Sequence, residues 1–172
     1  MDFTGSLINE FHSLPAFWWL WLIIAAVGVG VVYKLICGRE ISSRTRLLAA
    51  YVVFILMETI IGRKPGIARA EFIPFWSYSH PELRSEIILN YILFVPLGFL
   101  LYLCFSEKGK HGCVWIAKVG FLLSASIEIS QLVFRIGLFE FDDMIGNTIG
   151  CLIGAVVGKM MVKKMMVKRG QT

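Results

Sequence analysis

Residues 124–147 read SASIEISQLVFRIGLFEFDDMIGN. Most of this stretch has the apolar character of a membrane helix, yet it carries Glu128, Gln131, Arg135, Asp142 and Asp143. A charge at the centre of a membrane helix costs roughly 3 kcal/mol on insertion scales, so such groups face a protein interior or a site. Ser124, Glu128, Gln131 and Arg135 follow one another at spacings of four, three and four. At about 3.6 residues per turn, that spacing places all of them on one face, within a sector of roughly 60°. The segment therefore reads as a rising helix, a turn and the head of a returning helix.

Working outward, the rest of the chain supports a membrane protein. It has 172 residues, 57% of them hydrophobic, with a mean hydropathy of +0.72 and a net charge of +5. That length suits a single domain. A soluble core of this size does not need so many apolar runs. The basic excess points to a cytoplasmic membrane face, and no nucleic-acid-binding motif is present. Five spans are expected, at about residues 16–37, 47–61, 87–105, 114–134 and 144–162. The second is short, covering about 22 Å at about 1.5 Å per residue. The first Lys or Arg is Lys34, so the N-terminus reads as a first span entered from outside, not as a signal peptide.

Orientation follows from the positive-inside rule. Arg39, Arg44 and Arg46, then Lys108 and Lys110, then Lys159, Lys163, Lys164, Lys168 and Arg169 fall on one side. Arg63, Lys64, Arg69, Arg84 and Arg135 fall on the other, which has fewer. The expectation is an all-α bundle of about five transmembrane helices in the bacterial cytoplasmic membrane, N-terminus outside and C-terminus cytoplasmic. On that topology Glu58, Asn90, Glu128, Gln131, Arg135, Asp142, Asp143 and Asn147 all gather in the outer leaflet. The long connection at residues 62–85, with Pro65, Pro74 and Pro81, reads as a loop or short re-entrant piece covering them.

Each feature has two readings. The polar row is an interhelical hydrogen-bond stripe or a substrate or ion site. One of Asp142 and Asp143 suits a helix N-cap, leaving the other to pair with an arginine or hold a cation. Arg63 and Arg69 offer guanidinium groups for phosphate or contact lipid headgroups. Gly146, Gly150, Gly154 and Gly158 recur every four residues and suit close helix packing. Pro96 suggests a kink in the third span. His80 reads as a solvated loop residue. Cys37, Cys104, Cys113 and Cys151 lack a C-x-x-C pair and read as reduced structural thiols. No metal-ligand spacing and no cofactor motif is present. Glu58…Arg63 before Asn90, and Glu128…Arg135 before Asn147, repeat one polar order and suggest an internal parallel repeat.

The chain resembles the VanZ-like family over about residues 46–160, with residues 1–45 adding an extra span. The residues that carry the resemblance are Arg63…Arg69 with Phe72-Ile73-Pro74-Phe75, Asn90 through Pro96 and Gly98, Glu128…Gln131…Arg135, Phe141-Asp142-Asp143, and Asn147 to Gly150. The resemblance implies an envelope protein associated with reduced susceptibility to glycopeptide antibiotics, teicoplanin more than vancomycin. The leading expectation is a non-enzymatic or weakly enzymatic protein whose outward polar pocket engages a lipid-linked cell-wall precursor or a lipoglycopeptide. Arg63, Arg69 and Arg135 would hold anionic groups there. Glu58, Glu128, Asp142 and Asp143 would orient the arginines, and Asn90, Gln131 and Asn147 would complete the hydrogen bonds. The alternatives are a membrane-embedded phosphatase or transferase acting on a lipid-linked phosphate, and a structural bundle with no pocket.

Overall fold

The computed structural model describes residues 27–28, 34, 42–61, 69–79, 84–105 and 111–168. Most of the expected first span, with Cys37, Arg63, Lys64 and His80, lies outside the described residues.

Helix α1 runs Ser43–Leu56. Ser42 begins it as an N-cap, its Oγ accepting the Thr45 N–H at 3.2 Å. The helix therefore starts a turn earlier than its apolar run. It continues into a π-helical segment, Met57–Ile61, and the combined rod reaches about 28 Å. Strand β1, Arg69–Glu71, and a short 3-10 turn, Ser77–Ser79, follow. Helices α2 (Arg84–Phe105) and α3 (Cys113–Phe134) come next, then strand β2 (Leu138–Glu140) and helix α4 (Phe141–Lys168). Three helical segments are long and apolar enough to cross a membrane: Ile87–Phe105, Cys113–Phe134 and Phe141–Lys168. They coincide with the expected third, fourth and fifth spans, and make the chain a multi-pass helical bundle.

The all-α expectation needs one correction. β1 and β2 form a parallel ladder in which Arg69, Ala70 and Glu71 face Leu138, Phe139 and Glu140. Three-residue strands are too short for an alternating pattern to reveal them. The ladder joins equivalent points of two hairpins, α1–β1–α2 and α3–β2–α4, in agreement with the repeated polar order. Its register superposes Glu71-Phe72 on Glu140-Phe141.

The most extensive interface is between α2 and α4, and glycine makes it close. A Cβ at Gly154 would collide with the Val95 carbonyl, one at Gly150 with the Tyr91 carbonyl, and one at Gly98 with the Cys151 carbonyl. The apolar core gathers around this crossing and includes Ile55, Phe94, Leu97, Ile116, Ile127 and Ala155. The opposite face of α4 leaves Ile153, Val156, Val157 and Met160 exposed, as expected of a surface facing lipid.

Pro96 lies inside a helix that is continuous from Arg84 to Phe105. Proline removes the N–H that would serve Ile92 and crowds that turn. The Tyr51 hydroxyl from α1 donates to the neighbouring Leu93 carbonyl at 2.9 Å, so the opened turn is supported from outside the helix.

These contacts predict a graded response to alanine. Gly154→Ala places a methyl against backbone and should cost about 1–3 kcal/mol or more. At Gly146 the nearest atom to a new Cβ is the Tyr91 ring at 3.5 Å, an ordinary contact, so Gly146→Ala should be nearly neutral. Thermal unfolding of the purified variants in detergent reads the difference.

Candidate functional site

The polar residues collect where α1 ends, α3 ends and α4 begins. The widened turn of α1 leaves the Thr59 carbonyl available, and Gln131 Nε2 on α3 donates to it at 3.0 Å. One turn back on the same face, Glu128 is 2% exposed, and its Oε2 accepts the backbone N–H of Glu140 at 3.0 Å. A further turn back, Ser124 Oγ accepts from Asn147 Nδ2 on α4 at 2.8 Å. The spacing read from sequence thus holds for Ser124, Glu128 and Gln131, all buried.

Arg135 leaves this row. It is the C-cap of α3 and takes a left-handed conformation, φ 56° and ψ 41°. There its N–H bonds the Leu132 carbonyl, and the following Ile136 N–H bonds the Gln131 carbonyl. The helix has stopped, so the four-residue spacing no longer sets direction, and Arg135 is exposed.

Asp142 and Asp143 lie in the first turn of α4, not before it. Neither takes the cap position, which falls to Glu140, itself buried. Asp142 Oδ1 instead accepts the Phe75 N–H at 2.6 Å, across 67 positions of sequence. Phe75 has φ 64°, a conformation that is costly for a bulky residue and seldom kept without a local partner. Around it Phe72, Ile73 and Phe75 are all exposed. The turn is fixed by Ile73 N–H to Glu71 Oε1 at 3.2 Å and Trp76 N–H to the Ile73 carbonyl at 3.3 Å.

Glu58, Asn90 and Asp143 are half-buried. Arg69 contributes its backbone to β1. None of Glu128, Glu140, Asp142 or Asp143 is an isolated charge. Among the described residues, no group of three His, Cys, Asp or Glu is arranged to hold a metal ion.

The sequence reading omitted Glu140 and Thr59 from this end of the bundle, and placed Phe75 and Tyr78 in the covering connection without their partners. Glu140 was detectable: it repeats the Glu71-Phe72 pair within the second hairpin. The other three depend on pairings between distant segments. Tyr78 shares a 2.7 Å hydroxyl–hydroxyl hydrogen bond with Tyr91. Burial, then the Tyr91 hydrogen bond and charge, then the charges of Asp142 and Asp143 push the Tyr78 phenol above the ordinary tyrosine range.

The Tyr78 shift can be tested by absorbance titration near 295 nm. The Tyr78 phenol should ionise above the ordinary tyrosine range, and Asp142→Asn should bring it down by removing a neighbouring negative charge. The folded state holds this proton more tightly than the unfolded chain does. Its contribution to stability is therefore full below the ordinary tyrosine range and is lost as pH rises through the folded value. The same variant weakens the Phe75 anchor and should speed proteolysis within residues 72–79.

The family model described as VanZ/LLP1 matches residues 45–162. Protein VanZ of Enterococcus faecium is 39% identical over 71 residues, 40% of this chain and 41% of that protein. The match thus spans less than half of the relative's length. No solved structure matches. The matched region begins at the first turn of α1 and ends near the last turns of α4, enclosing both hairpins, the ladder and the polar end, and the chain belongs to the VanZ/LLP1 family.

Proposed function

We propose that this is a five-span protein of the bacterial cytoplasmic membrane, N-terminus outside and C-terminus inside, whose polar end opens toward the outer leaflet. There it engages a lipid-linked cell-wall precursor or a lipoglycopeptide, and so lowers susceptibility to teicoplanin-type antibiotics. The observation that carries this reading is the gathering of polar residues from both hairpins at one end. Glu58, Asn90 and Asp143 remain half-buried there and are not sealed in the core. Binding, not turnover, is the preferred activity. Arg63 and Arg69 would grip anionic oxygens in bidentate fashion. The exposed Phe72, Ile73 and Phe75 would meet an acyl or polyprenyl chain.

The purely structural reading has a specific observation behind it. Gln131, Glu128 and Asp142 each bond backbone groups of a neighbouring segment. Their removal would disturb the fold whether or not a ligand binds.

The decisive variants are therefore the half-buried residues. At matched membrane levels, the wild type should raise the inhibitory concentration of teicoplanin by at least one doubling dilution, and that of vancomycin less. Glu58→Ala and Asn90→Ala should abolish protection while unfolding at nearly the wild-type temperature. Undiminished protection by both would favour the structural reading. No protection by the wild type would end the resistance reading for this chain.

A further inference from the structure

The last turns of α4 carry a charge surplus that the bundle does not answer. Residues 159–168 read KMMVKKMMVK, a tandem duplicate of KMMVK. At about 100° per residue, Lys159, Lys163, Lys164 and Lys168 spread over one half of the helix circumference. Cys151, Ala155, Gly158 and Val162 are buried, and the same arithmetic puts them on the other half. The lysines therefore point away from the bundle, and each is exposed. None of them pairs with an acid among the described residues. Every described Asp and Glu lies toward the polar end, in the π-helical segment, the two strands, or the ends of α2, α3 and α4 that face it.

The fit of α3 against α4 sets the depth of these lysines. Ser124 meets Asn147, and Gly120 faces Cys151. Cys113, the first residue of α3, therefore falls near the level of Gly158. Residues 159–168 stand beyond that level by about 15 Å. Close to it, Trp115 stacks on His111 with ring centroids 4.1 Å apart and meets Phe105 edge-on at 5.8 Å. Aromatic rings favour the boundary between membrane and water. The headgroup layer is about 5–8 Å deep on each side of the hydrocarbon, so the lysine half of α4 rises through it. Basic clusters just beyond a membrane helix attract anionic lipid. An acidic protein would suit the same charges, but lipid phosphates already lie at this depth.

We propose that the lysine half of α4 binds the headgroups of anionic phospholipids and gathers them around this end of the bundle. The inference uses none of the polar-end residues and stands whatever they bind.

The test reconstitutes the purified full chain in vesicles of equal parts phosphatidylglycerol and phosphatidylcholine. Both leaflets are alike, so orientation does not matter. Spin-labelled forms of each lipid report the fraction immobilised at the protein. Phosphatidylglycerol should be held several times more strongly than phosphatidylcholine. The preference should fall away in about 1 M NaCl, where the screening length is about 3 Å. Lys159→Gln, Lys163→Gln, Lys164→Gln and Lys168→Gln together should remove most of it. If that variant does not accumulate, Lys164→Gln with Lys168→Gln decides, since both lie past the last buried residue of α4, Val162, and should remove part of it. Equal immobilisation of the two lipids would overturn the proposal, as would an undiminished preference in the variant that is measured. Release of phosphatidylglycerol by inorganic phosphate at matched ionic strength would assign the lysines to free phosphate and overturn it as well.

Discussion

Irregular backbone at the end of a membrane bundle must find its hydrogen bonds within the protein. Here the two hairpins supply them to each other. Gln131 of the second hairpin reaches the Thr59 carbonyl at the widened end of α1, and Asp142 takes the Phe75 N–H from the turn after β1. The β1–β2 ladder joins the remaining connecting strands edge to edge. Glu128 does the same within its own hairpin, holding the Glu140 N–H just before α4. The close, glycine-lined crossing of α2 and α4 brings the segments near enough for these bonds to form.

This constraint changes how the polar residues are read. A buried carboxylate in an apolar bundle invites a ligand, but several of these groups already serve the backbone. What remains for binding is narrower. Under the proposed reading it comprises the half-buried Glu58 and Asn90 and the apolar turn at Phe72–Phe75. Support and binding need not compete, since a rigid scaffold holds a site in place. Phe75 illustrates the coupling. Its strained backbone is held by Asp142, so the acid that orders the polar end also sets the shape of the apolar turn.

Much of the fold was legible in the sequence because membrane helices announce themselves by length and composition. The last three spans, their gathering of polar groups at one end and the four-residue glycine repeat all follow from local spacing. Arg135 was misplaced because helical periodicity was extended onto a residue that is the left-handed cap. The role of Asp142 was invisible because its partner lies far away in sequence. The parallel strands are too short to show a period, although the repeated Glu-Phe pair at 71–72 and 140–141 foreshadows their register. Half of the internal repeat could thus be read from side-chain order, and the rest needed the backbone pairing.

The central claim is that the two hairpins are joined in parallel register at the polar end. Cysteine cross-linking tests it most directly, with Ala70→Cys and Phe139→Cys in a background where the native cysteines are serine. Those positions are paired in the ladder, within the Cα separation of about 4.4–6.8 Å that a disulfide spans. Mild oxidation in membranes should link them within one chain, while Ala70→Cys with Leu138→Cys, whose side chains point to opposite faces, should link poorly. Absence of the first cross-link, or equal yields from both pairs, would contradict the account.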